Sequence, residues 1–132
     1  MSPEVIVLSC SHPLTEPQLE RLQVLAGGAR LRVLEPDLAH LDLDGDLVGQ
    51  VRRALDALPL RGSDWESLPF LVSLPALSLS AAVLVAEVHG RCGHFPTVVR
   101  RVRSRGPVVM FEVADLIGLQ DVRTSARAGR DR

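Results

Sequence analysis

Lysine is missing from this chain: all 15 of its Lys/Arg positions are arginine. Every cation is therefore a guanidinium that can grip a phosphate or a carboxylate at two points, although a GC-rich coding sequence gives the same bias without any function. Long apolar runs are missing too. No stretch approaches the roughly 18 residues of a membrane span, and the N-terminal "VIVL" is too short for a signal peptide. This predicts a soluble, cytoplasmic protein. Cysteine is scarce: Cys10 and Cys92 lie far apart and outside any C-x-x-C pattern, which argues against a disulfide framework and for reduced thiols. The glycine fingerprints of dinucleotide and NTP loops, G-x-G-x-x-G and the Walker pattern, do not occur. Neither paired catalytic carboxylates nor a Ser, His and acid set can be assigned from spacing. A net charge of −1 argues against coating long nucleic acid, which needs a broadly basic surface.

What remains is 132 residues, 46% of them hydrophobic, enough for one domain with its own core. Charge is divided along it. From Val88 to Phe111 there is no carboxylate, while Arg91, Arg100, Arg101, Arg103 and Arg105 fall there with His89 and His94. From Glu35 to Glu66 acids predominate, against only Arg52, Arg53 and Arg61.

Periodicity supplies the elements. Glu4 to Ser9 reads as a buried strand, and Thr15 opens a helix with a capping box because Gln18 stands three residues later. Leu19, Leu22, Leu25 and Ala26 give that helix an apolar face until Gly27 and Gly28 stop it. Arg30 to Glu35 alternates as a second strand. Leu47, Val51, Leu55 and Leu58 mark a second helix ending at Pro59, and "FLVSL", Phe70 to Leu74, is a third strand. Ser78 or Ser80 is the expected cap of a third helix, apolar on nearly every side. Thr97 to Arg103 and Val108 to Val113 are expected as a hairpin turning through "SRGP", and Asp115 to Arg127 as a last helix. The order βαβαβαββα predicts an α/β, Rossmann-like fold: a mostly parallel sheet, helices on both faces and one antiparallel edge strand. Residues 1–123 form the single expected domain and 124–132 a flexible C-terminal tail.

Two constellations carry chemistry. "SCSHP" is the loop after the first strand, where open α/β sheets bind ligands. There Ser9, Ser11 and His12 would form an anion site with the N–H groups of the first helix, and Ser73 of the third strand joins the expected ligand set. The plainer reading has the serines satisfying loop backbone and His12 packing under the helix. The second constellation is "EVHGRCGHFP", with Gly90 as an expected helix C-cap and Arg91 and His94 displayed around Gly93. These residues would bind phosphate or donate a proton, or would simply stabilise a helix dipole. Cys10 with His12 and Cys92 with His94 make two C-x-H pairs, but structural zinc sites space their cysteines two to four apart, so no metal site is assigned. "DLDGD", Asp42 to Asp46, reads as a solvated turn, its glycine being out of register for an EF-hand.

Taken together, "SHPLT" after the first strand, "LP" with "LV" in the third, "AEVHGRCGHFP" and "FEVADLIGLQDVR" resemble the small CRISPR-associated Csx-fifteen family, over nearly the whole chain. The resemblance implies a Rossmann-like domain that regulates the cyclic oligoadenylate messenger of type III CRISPR systems, without a cofactor. One form of that function is sequestration of cyclic tetra-adenylate by a homodimer, through paired copies of the "SCSHP" loop. Another is a metal-independent ring nuclease with His12 as acid or base, since histidine titrates near neutrality. A third is an interaction domain with no nucleotide role. The ligand set expected is Ser9, Ser11, His12, Ser73, Arg91 and His94. Because the last two fall at the far end of the sheet, a ligand meeting both constellations would bridge copies into a higher oligomer.

Overall fold

The computed structural model describes residues 3–130. Five strands, β1 (Glu4–Ser9), β2 (Arg30–Leu34), β3 (Phe70–Ser73), β4 (Thr97–Arg103) and β5 (Phe111–Gly118), form one sheet in the order β2-β1-β3-β4-β5. The first four run parallel and β5 pairs antiparallel with β4. The fold is therefore the α/β, Rossmann-like class predicted, with one antiparallel edge strand.

Helices α1 (Glu16–Leu25), α2 (Leu47–Asp56), α3 (Gly62–Ser67), α4 (Ser78–Cys92) and α5 (Leu119–Gly129) complete it. Right-handed crossovers run left from β1 to β2 and right from β3 to β4, so α1 and α4 cover opposite faces. Two cores result. Alternation along β1 sends Ile6 and Leu8 toward Val51, Leu55, Trp65, Leu84 and Val88 of the α2, α3 and α4 layer. Val5 and Val7 go the other way, to Leu22 of α1 with Leu71, Val99 and Val113. Because β1 and β3 are buried on both sides, their apolar residues do not alternate with polar ones.

Local signals explain the start of the chain. Thr15 Oγ1 accepts the Gln18 N–H, and Gln18 Oε1 accepts the Thr15 N–H, closing the predicted capping box. Gly27 and Gly28 then turn the chain at φ 69° and 81°, values that side chains with a Cβ resist.

Elsewhere the structure departs from the pattern. α3, not anticipated, is held by Trp65 stacking on Phe70 at 4.8 Å and by Asp64 accepting the Arg61 N–H. Neither serine caps α4. Its N-cap is Leu77, without a side-chain cap, because Ser80 belongs to the buried stripe with Leu84, Val88 and Cys92. Gly90 does not end that helix either: His89 packs on Phe95 at 4.2 Å and Arg91 ties the last turn to α2, so α4 continues to Gly93 at φ 83°. The last strand sits later than its predicted Val108–Val113. Pairing of Leu116 with Val99 and Ile117 with Val98 overrides the helical spacing of Leu116, Leu119 and Val122. The turn widens to match, Ser104 N–H donating to the Met110 carbonyl at 2.7 Å, and Val108 to Met110 stay exposed. The stretch expected as a flexible tail is helical through Gly129, and residues 131–132 lie outside those described.

Candidate functional site

Strand order reverses direction between β1 and β3, and the loops leaving both strands meet at that point. The Cys10 N–H donates to the Ser73 carbonyl at 3.0 Å and zips the two strand ends together. Beside them opens a cavity of about 720 Å³ lined by the whole "SCSH" run, by Glu35 to Ala39 after β2, and by Pro75, Ala76, Leu77 and Ser80 at the start of α4.

A residue that the motif reading did not single out braces this loop. Arg101 of β4 donates from Nη1 to Ser11 Oγ at 3.5 Å and from Nη2 to the His12 carbonyl at 3.3 Å. It reaches the loop because successive strand residues point to opposite faces, so Arg101 shares the α1 face with Val99 while Arg100 shares the other with Val98. Arg100 stays on the strand surface and grips Asp115 with two bonds of 2.7 and 3.0 Å, which holds that carboxyl below its ordinary range. Arg101, among the described residues, meets no carboxylate; burial pushes its guanidinium below the ordinary arginine value, and its Nε has no hydrogen-bond partner. The signal for it was the carboxylate-free run from Val88 to Phe111.

The predicted loop residues come together here with different characters. Ser9 and Ser73 are buried, and Ser9 Oγ lacks a partner. Ser11 is half-buried, and His12 is exposed rather than packed under α1. The N-terminus of α1 offers less than anticipated. Gln18 N–H is taken by Thr15, Leu19 N–H by the Thr15 carbonyl, and Pro17 has no N–H, so the Glu16 N–H alone is left over.

Arg91 and His94 lie at the other end of the sheet, as the antiparallel run of α4 against its strands requires. Arg91 is engaged internally: Nη2 reaches Asp56 Oδ1 at 2.7 Å and the Arg52 carbonyl at 3.3 Å, Nε faces Glu87 Oε2 at 3.5 Å, and the guanidinium lies 5.1 Å from the Trp65 ring centroid. His94 is exposed, its Nδ1 3.1 Å from the Phe95 carbonyl oxygen.

Neither thiol is poised for chemistry. Burial pushes Cys10 up to about 12 and Cys92 up to about 11, so both are neutral near pH 7. Cys10 shares the cavity with Ser80, while Cys92 ends the same helix ~18 Å farther along at 1.5 Å per residue. Among the described residues no three His, Cys, Asp or Glu side chains gather as metal ligands, and no helix is long and apolar enough to cross a membrane.

No family model matches the chain, and no solved structure matches it. In an alignment 111 positions long that covers 76% of the chain, it is 36% identical to F-box/LRR-repeat protein 8 of Mus musculus, and it spans 29% of that protein. A leucine-rich-repeat array stacks one unit over and over, whereas here each strand has a different neighbour set and helices cover both faces of one sheet.

Proposed function

We propose that this protein binds the cyclic oligoadenylate messenger of type III CRISPR defence, with cyclic tetra-adenylate as the ring, and lowers its signalling by sequestration as a homodimer. The observation that carries this reading is Arg101: a partly buried arginine without an acid partner among the described residues holds the "SCSHP" loop at the strand ends. The resemblance to the Csx-fifteen family names the ligand, and the loop, the arginine and the adjoining cavity supply suitable chemistry for it. Ser9, Ser11, His12 and Ser73 contribute from the loop end. His94, exposed at the opposite end, is placed to meet a ring held by another copy, and Arg91 would have to leave Asp56 to join it.

The test is to incubate the protein with cyclic tri-, tetra- and hexa-adenylate and to separate bound, intact and cleaved species. Tight retention of intact tetra-adenylate is expected, weakened by Ser11→Ala and His12→Ala. No retention of any ring overturns the reading. His12, with its carbonyl pinned and its side chain exposed along the cavity, favours a second form, a metal-independent ring nuclease. Cleavage that survives EDTA and leaves a cyclic 2′,3′-phosphate would establish that form in place of sequestration. The similarity to an F-box/LRR-repeat protein favours an interaction domain if no ring is held.

A further inference from the structure

The start of α4 and the end of β2 face one another across the cavity. α4 is 15 residues long, and no side chain caps it. Its first N–H groups therefore point outward unpaired, at the end where the helix dipole favours an anion. Ser80 lies in that turn, is 1% exposed, lines the cavity, and its Oγ has no hydrogen-bond partner. A buried hydroxyl left unmatched beside the cavity is a group that a ligand oxygen would satisfy. The contrast with α1, whose N-terminus is closed by its own capping box and by Pro17, puts the anion at α4.

The opposite wall is acidic. Glu35 and Asp37 follow β2 directly, are exposed, and form no ion pair among the described residues. A carboxylate accepts O–H donors and repels phosphate, and an acid after the second strand of such a sheet is placed to hold a ribose hydroxyl. Between the walls Leu41, Leu43 and Leu77 supply apolar surface for a base. The volume falls within the roughly 300 to 1,000 Å³ usual for one small ligand.

We propose that this cavity seats one ribonucleotide unit, with its phosphate on the α4 N-terminus and Ser80, its 2′-hydroxyl on Glu35, and its base against the leucines. This deepens the proposed function, in which the unit is one nucleotide of the ring, and it gives the site a means of telling RNA from DNA.

The experiment is an NMR titration of the ¹⁵N-labelled protein with adenosine monophosphate, its 2′-deoxy form and inorganic phosphate, alongside binding of cyclic tetra-adenylate and its all-deoxy counterpart. Adenosine monophosphate should shift the Ser78, Leu79 and Ser80 amides together with Glu35, and phosphate alone only the first three. Both ribo forms should bind about tenfold more tightly than the deoxy forms, the loss of one charge-assisted hydrogen bond. Glu35→Ala should erase that preference, and Ser80→Ala should weaken both forms, with thermal unfolding showing each variant folded. Equal ribo and deoxy affinity, or shifts confined to residues 9–12, overturns the proposal. If the ring binds and both variants bind it unchanged, this inference fails while the proposed function stands. If the mononucleotide gives the stated pattern and the ring does not bind, the reverse holds.

Discussion

At the N-terminal edge of the sheet Arg91 meets two carboxylates, a carbonyl and an indole, whereas at the C-terminal edge Arg101 meets, among the described residues, a hydroxyl and a carbonyl. The same side chain serves opposite purposes at the two ends. Around Arg91 the charges are neutralised within the fold, and a helix is stopped by a left-handed glycine. Arg101 has no acid partner among the described residues, and at the same end of the sheet the hydroxyls of Ser9 and Ser80 are buried without hydrogen bonds. Groups matched internally stabilise the fold. Groups left unmatched are a cost to the folded state that a ligand would offset.

The comparison breaks most clearly if the two arginines are exchanged in consequence. Arg101→Ala should leave the unfolding midpoint nearly unchanged while weakening binding of cyclic tetra-adenylate about 10- to 100-fold, as expected for roughly 1 to 3 kcal/mol of charged hydrogen bonding. Calorimetric titration checks it, and undiminished affinity would make Arg101 a structural brace alone. Arg91→Ala should do the opposite, lowering stability by about 1 to 2 kcal/mol, because Glu87, whose side chain is only 12% exposed, loses one of its two cations and Trp65 its covering charge. Urea denaturation reads this directly.

A smaller effect sharpens the same contrast. Gly93→Ala has room for its Cβ but must adopt φ 83°, so it should cost about 1 kcal/mol in the same assay through backbone strain alone. The smallest belongs to Arg100 and Asp115, which are paired but exposed. Because the folded Asp115 carboxyl titrates below its ordinary value, its contribution is present above that ordinary value and fades as the pH falls through the folded one. Arg100→Ala should therefore lower stability slightly at neutral pH and leave it unchanged below the folded Asp115 value, flattening a slight acid dependence, because exposed pairs contribute little.

How much of this was legible follows from which forces were local. The Thr15 and Gln18 box, the Gly27 and Gly28 stop, and the apolar strands β1 and β3 depend on neighbours within a few residues, so the sequence pattern exposes them. β5 does not. Leu116 fits a helix with Leu119 until β4 is beside it, and strand pairing is a tertiary choice. The six-residue α3 was too short to show a period, although its anchor, Trp65 on Phe70, lies only five positions away. In the site, position after the first strand pointed to Ser9, Ser11 and His12. Alternation puts Arg100 and Arg101 of "VVRRVR" on opposite faces, but which face carries the first loop is settled only when β4 takes its place in the sheet. Ser80 looked like a cap because serine is a good one; whether its hydroxyl faces outward or into the core is set by where α4 lies on the sheet.

The grip of Arg101 on the first loop spans 90 positions of sequence. The loop belongs to the first βα unit, yet its brace arrives only when β4 has paired with β3 and β5. Its order is thus tied to the edge hairpin rather than to its own unit, and the two should open together as one cooperative piece, with matching rates of amide hydrogen exchange. A sheet edge that frays would release the loop without disturbing β1, which makes the edge strand a remote control on how well ordered the strand-end cavity is.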